Sequence, residues 1–495
     1  MTTGARALAL DPQGRPWNVD VIVVGGGLSG LTAARNLLRA RQSVVVLEAA
    51  GEVGGRTASV ELGGVRLDLG GTYVGPRHDR LLTLGESLGA QTERTYTQGR
   101  NVIEWCGSVR RYSGTVPKLD PVTLASIALL QHRLDRLSEA VPIGHPWDAQ
   151  GARKLDSSSL GAWLRHAGAT RGGFELVAMA SRITWGVEPD EVSLLHVLHY
   201  IHAAGGLNSI LDTEGGAQDS HFTQGAHSLS VRLAQQLGDV VQVDCPVVEM
   251  GWNASGVEVT TARGRFAARC AVVAVPPSAR GGIRFSPSLP DPYAGLPAHW
   301  PHGRVSKVYA VYDEPFWRAA GLSGQALSDA GPVGVTFDAS PGDLSAGVLL
   351  GFVSADAARG WDQLDAGERR LRALASFARL FGDRALEPTH YVDKVWSSEA
   401  WVGMGSVAAP GPLAWTLHGR ALSTAIGPIH WGGTEAADVW TGFLEGAVRS
   451  GERCAAEVLA VLHADPVRKA GASGTGRVGD DSEALLSSTY GQTSS

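Results

Sequence analysis

VDVIVVGGGLSGLTAARNLLRARQSVVVLEAAGEVGGRT, residues 19–57, carries a strand, a glycine turn, a helix, a second strand and a terminal acid in one register. Val19 to Val24 is a short Val/Ile-rich run of the kind that forms a buried parallel strand, and it breaks at Gly25, Gly27 and Gly30. Gly25 permits the tight turn, Gly27 lets the backbone approach a pyrophosphate, and Gly30 lets the following helix pack close to the strand. The phosphates then sit on the helix N-terminus. Val44 to Leu47 forms the next strand and ends in Glu48, about twenty residues past the glycines, where a carboxylate accepts hydrogen bonds from both hydroxyls of a ribose. The pattern predicts a Rossmann-like α/β domain, and Glu48 argues against NADP, whose 2′-phosphate it would repel.

At 495 residues the chain exceeds what one core supports, which predicts two connected domains. Its 44% apolar and 19% charged residues are those of an ordinary globular enzyme. A net charge of −6, with no Lys/Arg-rich arm, predicts no nucleic-acid partner. Cys106, Cys245, Cys270 and Cys454 are far apart and form no CxxC pair, so neither disulfides nor structural zinc are expected and a reducing, cytoplasmic setting fits. No secretory leader and no apolar run of about 18 residues is read, so no membrane association is expected. Residues 1–17 are expected to be a flexible tail, and the Gly/Ser-rich 464–495 a disordered one.

Between these limits, Gly63 to Gly75 reads as a hairpin strand and a glycine-rich turn, and residues 100–113 as a short hairpin. From Leu119 to about Gly205 apolar residues recur at i, i+3, i+4 and i+7, which predicts a helical insertion. A strand end and helix follow at Phe222 to Leu237, a three-stranded meander at Val240 to Val275, further strands at 303–312 and 348–353, and an amphipathic helix at Glu368 to Phe381. Ile429 to Ala460 closes with a strand, a GGTE turn and a long helix.

The continuation Gly54-Gly55-Arg56 resembles the start of FAD proteins of the glutathione reductase and amine oxidase class. DLGGTYVGP (68–76), GRVSKVYAVYDEPFW (303–317) and IHWGGTEAADVWTGFLEGA (429–447) follow in order, and together these motifs resemble the flavin monoamine oxidase family from about Val19 to Leu462. The resemblance implies a discontinuous FAD-binding domain over 18–98, 222–300 and 400–463, and an α+β substrate-binding domain over 99–221 and 301–399. It implies FAD contacts from Gly25, Gly27, Gly30, Glu48, Gly55, Arg56, Gly70, Gly71, Thr72, Val247, Trp396, Gly433, Thr434 and Glu435. Tyr73, Leu211, Gln218 and Phe443 would line the amine's cavity.

Lys307 shares a strand face with Val305, Tyr309 and Val311, an apolar and aromatic setting that lowers an ammonium's pKa. The resemblance gives it the task of holding a water beside flavin N5 and assisting reoxidation by oxygen. Phe443 matches one wall of the family's aromatic cage. The other wall falls on Ser406, which leaves the cage half open to bulkier groups or to filling by Trp401 or Trp431. Gly405 stands where covalent members carry the flavin-linking cysteine, so FAD is expected to be held non-covalently.

The reaction so implied oxidises an amine at its α-carbon to an imine that hydrolyses to an aldehyde or ketone, while O2 becomes H2O2. The expected partners are a small amine and O2, with a homodimer left open. An L-amino-acid oxidase is the nearest alternative and needs an arginine clamp, for which Arg77 is the available residue. A flavin dehydrogenase tailoring a secondary metabolite is another, and a non-redox use of the fold a third. No metal is expected. His196, His199 and His202 recur every three residues without an acidic or Cys partner, which predicts solvated or core histidines. Glu435 and Asp438 are assigned to the closing helix N-terminus and the flavin ribityl chain.

Overall fold

The structure is a computed structural model that describes residues 16–114, 116–402 and 405–464, apart from the side chain of Ser406. The expected tails, 1–17 but for its last two residues and 464–495 but for its first, lie outside the described residues.

The Val/Ile run forms the strand Trp17–Val24, which lies parallel between Val44–Leu47 and Gly264–Val273. Val241–Gln242 extends the parallel side, and Ile429–Trp431 also pairs in parallel with Gly264–Val273. The sheet continues antiparallel through Gly256–Thr261 and Val247–Asn253, the expected meander, to Arg284–Ser286. Alternate residues of its centre face opposite ways. Val21, Val23, Val44 and Val46 pack under the helices Leu28–Arg39, His227–Leu237 and Leu444–Ala464, while Ile22, Val24, Val45 and Leu47 pack with Met250, Val259 and Trp431. Burial on both faces is why the run is continuously apolar rather than alternating. The first and last of these helices cross closely, since a Cβ on Gly451 would lie 2.3 Å from the Ser29 carbonyl oxygen.

A second sheet runs in the order His390–Val395, His302–Tyr312, Gly347–Ser354, Val333–Asp338, Leu322–Ser328, Arg100–Trp105 and Ser108–Tyr112. Its pairs are antiparallel except Leu322–Ser328 with Arg100–Trp105. Gly405–Ala408 pairs with His302–Tyr312, so this part of the 400–463 segment joins the second sheet rather than the nucleotide sheet. Leu322–Ser328, Val333–Asp338 and His390–Val395 were not anticipated. LSGQALS is rich in small and polar residues and takes its strand form from pairing on both edges, not from its own pattern.

The helical layer comprises Pro121–Ser138, Arg171–Trp185, Leu194–Ala204 and shorter helices. Asp120, Thr170 and Ser193 cap the three long ones by accepting from the amides of Thr123, Gly173 and His196. Leu194–Ala204 runs through the centre of the layer with nearly every residue buried. His196 and His199 are part of that core rather than solvated, and His196 Nδ1 accepts from Trp415 Nε1 at 3.2 Å. His202 is half-buried, with Nδ1 2.7 Å from the Val141 carbonyl. Among the described residues no group of His, Cys, Asp and Glu is arranged to hold a metal.

Burial pulls His196 and His199 down to about 3. Unfolding restores their ordinary affinity for protons, so the unfolded chain binds more protons below about pH 6.5 and stability falls as pH drops from there toward 4. The limiting slope is about 1.4 kcal/mol per pH unit for each histidine. His199→Phe is expected to flatten thermal midpoint against pH over this window, measured by differential scanning fluorimetry, and an unchanged slope would refute the assignment.

Candidate active site

One cavity of about 1370 Å3 runs from the glycine turn to the helical layer. That exceeds the several hundred Å3 typical of a single small-molecule pocket, and it accommodates a dinucleotide together with a second small molecule.

At the nucleotide end, Gly25 makes the turn at φ +104°. The helix Leu28–Arg39 then starts with no side-chain cap, which leaves its first amides facing the cavity. Gly27 lines the cavity with φ −75° and ψ 174°, extended backbone open to any residue. A Cβ there would meet only the Gly54 oxygen at 3.9 Å, so the space it would occupy is cavity. Gly30 does not line the cavity. A Cβ there would sit 2.0 Å from the Gly25 oxygen, so this glycine lets helix and turn touch. Glu48 is buried at the end of its strand, accepting from the Gly26 amide (2.6 Å) and the Ala50 amide (2.8 Å), and burial raises its pKa. Those two amides orient the carboxylate toward the cavity it lines, with Val247 on the adjoining wall. Across the cradle, Ser29 Oγ accepts from the Gly433 amide at 3.0 Å, a clamp between the first and last segments that sequence reading passed over.

Further along, Gly55, Arg56, Gly70, Gly71, Thr72, Trp396 and Thr434 line the wall. Glu435 does not. Its carboxylate takes Arg56 Nη1 and Nη2 at 2.5 and 3.0 Å, and although burial would raise its pKa, Arg56 and His302 hold it at about 2. The segment Thr434–Ala436 packs against the closing helix Leu444–Ala464, with Thr434 Oγ1 donating to the Phe443 carbonyl at 2.7 Å, but the Glu435 carboxylate turns to Arg56. The acid in that helix's first turn is Glu445, which accepts from the Leu81 amide at 2.7 Å.

Lys307 is buried in mid-strand, and its ammonium donates to the carbonyls of Asp68 (3.0 Å) and Gly70 (2.6 Å) and to Thr72 Oγ1 (2.5 Å). Burial, partly offset by the Asp68 carboxylate, pulls it down to about 8. Two more side chains fix the same turn: Tyr309 Oη donates to the Asp68 carbonyl (2.6 Å) and Trp396 Nε1 to that of Leu69 (2.9 Å). Tyr309 stands two residues from Lys307 on the same face, a signal of shared purpose that the sequence did carry.

The far end is apolar, walled by Tyr73, Met179, Ile183, Phe337, Phe352 and Phe443. Tyr200, unnoticed in the sequence, lines it too, with its ring 5.6 Å from that of Phe443. Gln218 donates to the Ile210 carbonyl at 3.0 Å while its Oε1 is buried without a partner, and Leu211 stands 40% exposed where the cavity meets the surface. Trp401 also lines the cavity, half-exposed, whereas Trp431 is wholly buried against Phe285 and Tyr293 and cannot fill the gap left by Ser406. Ser406 lies in the strand Gly405–Ala408, and its side chain is outside the described part. Arg56 and Lys307 are the cations lining the cavity, and both are engaged. Arg77 lies outside it, donating to the Gly205 carbonyl and Ser209 Oγ.

Uncapped amides, a glycine whose missing Cβ leaves cavity, and an oriented carboxylate fit a ribose-diphosphate cofactor, and the volume of the cavity has room for FAD. Residues 28–459 match the family model described as flavin containing amine oxidoreductase. The chain is 48% identical over 447 residues, 90% of its length and 98% of the relative's, to "Putative flavin-containing monoamine oxidase AofH" of Mycobacterium tuberculosis. It is 34% identical over 458 residues, 90% of its length and 95% of the other's, to an L-amino acid dehydrogenase of Synechocystis. Among solved structures, wild-type putrescine oxidase bound to putrescine superimposes with a TM-score of 0.86 at 32% identity, covering 90% of this chain and all of that one.

The two glycines separate cofactor binding from folding. Gly27→Ala is expected to leave apoprotein solubility and thermal midpoint unchanged while lowering bound flavin at least about tenfold, read from visible absorbance. Gly30→Ala should lose the folded protein itself. Full flavin occupancy in Gly27→Ala would remove the cradle assignment.

Proposed function

The chain belongs to the flavin-containing amine oxidoreductase family, and from that premise we propose that it is an oxidase for amines that carry a bulky apolar group and no carboxylate. It is an FAD enzyme that oxidises amines. Bound FAD supplies the two-electron acceptor for the α-C–H bond of the amine. In the proposed overall reaction, amine, O2 and water give aldehyde or ketone, ammonia or a smaller amine, and H2O2.

The observation that carries the substrate class is the apolar far chamber, on whose wall no unengaged cation stands among the described residues. An aliphatic amine near pKa 10.4 is neutral in only about one molecule in two thousand at pH 7, a cost of roughly 4–5 kcal/mol if the neutral form reacts. Phe443, Tyr200, Phe337 and Phe352 disfavour the ammonium by excluding water, and Phe443 orients the amine on its ring. Lys307 shapes the wall through the 68–72 turn and presents a positive charge there, which favours electron transfer to O2 and is the basis of its proposed role in reoxidation. Glu48, the Gly25–Gly30 turn, Arg56 and Thr434 would hold the nucleotide without a covalent bond, since no cysteine stands at 405. We assign the cofactor to 18–98, 222–300 and most of 400–463, and the substrate chiefly to 99–221 and 301–399. Four free cysteines and the lack, among the described residues, of a helix long and apolar enough to cross a membrane support a cytoplasmic enzyme.

The Synechocystis relative keeps L-amino acids as a second reading. A peroxide-coupled screen decides it. Apolar amines are expected to turn over with kcat/KM at least about 100-fold above the matching α-amino acids, because an unpaired buried carboxylate costs several kcal/mol. Equal or better amino acids would overturn the reading.

In stopped-flow, reoxidation by O2 should slow as pH rises through about 8, where Lys307 loses its charge. Lys307→Met should be at least about tenfold slower and flat across that range. A fast Lys307→Met variant with the wild-type profile would remove the role.

A further inference from the structure

Arg280 lies in the turn Pro277–Gly282 and is 3% exposed. None of its guanidinium nitrogens has a hydrogen-bond partner, and its Cζ stands 4.5 Å over the ring of Trp431. A stacked indole offsets part of the cost of burying a charge, but an unpaired guanidinium away from water remains several kcal/mol unfavourable. Among the described residues Glu435 offsets the charge only in part. Glu435 is already taken by both Arg56 amino groups, Arg453 is a second cation held by Glu457 and the Trp431 carbonyl, and burial pushes the Cys454 thiol up to about 11, which keeps it uncharged at neutral pH. His302, pulled down to about 4, is neutral as well. Among its buried and half-buried members the cluster thus sets Arg56, Arg280 and Arg453 against Glu435 and Glu457, with the exposed Asp438 acting on Arg453 from the rim, and Arg280 is the cation left without a hydrogen-bonded carboxylate.

Its place in the fold says where the matching negative charge belongs. Ser278 and Ala279 before it, and Gly282 and Ile283 after it, all line the cavity, while Arg280 itself turns inward onto Trp431. Trp431, on which it stacks, leads into Gly432 and Gly433. Gly433 donates to Ser29 Oγ at the start of the helix Leu28–Arg39. The charge is thus buried on the indole that leads into the cradle's Gly433–Ser29 contact, in surroundings where electrostatic effects reach farther than in water.

We propose that Arg280 is a buried electrostatic anchor for the pyrophosphate of FAD, acting through the cradle wall: its charge is only partly compensated in the apoprotein and balanced by the diphosphate on binding. The inference deepens the cofactor assignment and does not depend on which amine is oxidised. It gives Arg280 opposite effects on the two states, since it destabilises the empty protein and tightens the filled one. Removal of the charge should make the apoprotein more stable and the cofactor looser, a pairing that a residue needed only for packing does not give.

The test uses apoprotein and Arg280→Met, with thermal midpoints and titrations by FAD, ADP and adenosine. Expected are an apoprotein midpoint raised by a few degrees, affinities for FAD and ADP both reduced by about tenfold or more, and an unchanged affinity for adenosine, which has no phosphate. Arg280→Lys, which keeps the charge, should bind FAD within about threefold of wild type at pH 6.5. Unchanged FAD affinity in Arg280→Met would overturn the proposal, as would equal weakening of adenosine or a lowered apoprotein midpoint. Flavin that stays with the denatured wild-type protein would instead refute non-covalent binding, a separate failure.

Discussion

The buried ammonium of Lys307 joins the two halves of the molecule. Its strand belongs to the second sheet, yet its donors close on the Asp68 and Gly70 carbonyls and Thr72 Oγ1, in the glycine turn that extends from the nucleotide side. Charge-assisted bonds of this kind contribute about 1.5–3 kcal/mol each. Tyr309 and Trp396 add two further bonds to the same five residues. The turn is thereby a rigid wall although three of its members, Leu69, Gly70 and Gly71, have little or no side-chain chemistry of their own. Gly70 also has no room for a Cβ, which would lie 2.2 Å from the Arg56 oxygen. Arg56 is drawn in by that contact and locked by Glu435, so the wall runs unbroken from cradle to chamber.

That lock explains a charge distribution which would look wasteful taken residue by residue. A cation deep in a cavity is costly unless something holds it, and both cavity-lining cations are held by protein acceptors. The chamber beyond them therefore presents no unengaged positive group. On the proposed reading this is discrimination by omission: an amine finds apolar walls, while a carboxylate would be stripped of water and offered no donor by the described residues in exchange.

Much of the nucleotide half was legible because its constraints are local. A buried parallel strand must be apolar on both faces, a tight turn must be glycine, and a ribose-binding acid must follow the next strand. Each leaves a residue at a fixed offset, and the strands Trp17–Val24 and Val44–Leu47 with Glu48 between sheet and cavity stand where those offsets put them. The second sheet was read in part, since Leu322–Ser328 has no pattern of its own and is a strand only because two neighbours pair with it. Long-range partnerships were the other blind spot. Glu435 and Arg56 are 379 residues apart, and no local pattern announces their pairing. Ser29, Tyr200 and Arg280 gave no local sign at all, because their significance lies in what surrounds them: a distant amide, the ring of Phe443, and the absence of a hydrogen-bonded carboxylate.

The cavity also changes character along its length, and the sequence of environments matches the path of a cationic amine. Asp212 and Glu214 line it near the exposed Leu211, so the approach is acidic, with burial raising the carboxyl pKa of Asp212. An acidic entrance concentrates ammonium ions at its surface. The aromatic chamber beyond then penalises the charge that the entrance attracted, and this opposition separates capture from reaction. If the whole cavity were acidic it would bind the ammonium ion tightly and keep it unreactive, and if it were apolar throughout it would have no means of drawing the ion from water. Placing the two environments in series separates the charge that attracts the amine from the apolar walls, beside Phe443 and the turn that Lys307 holds, that disfavour the ammonium form.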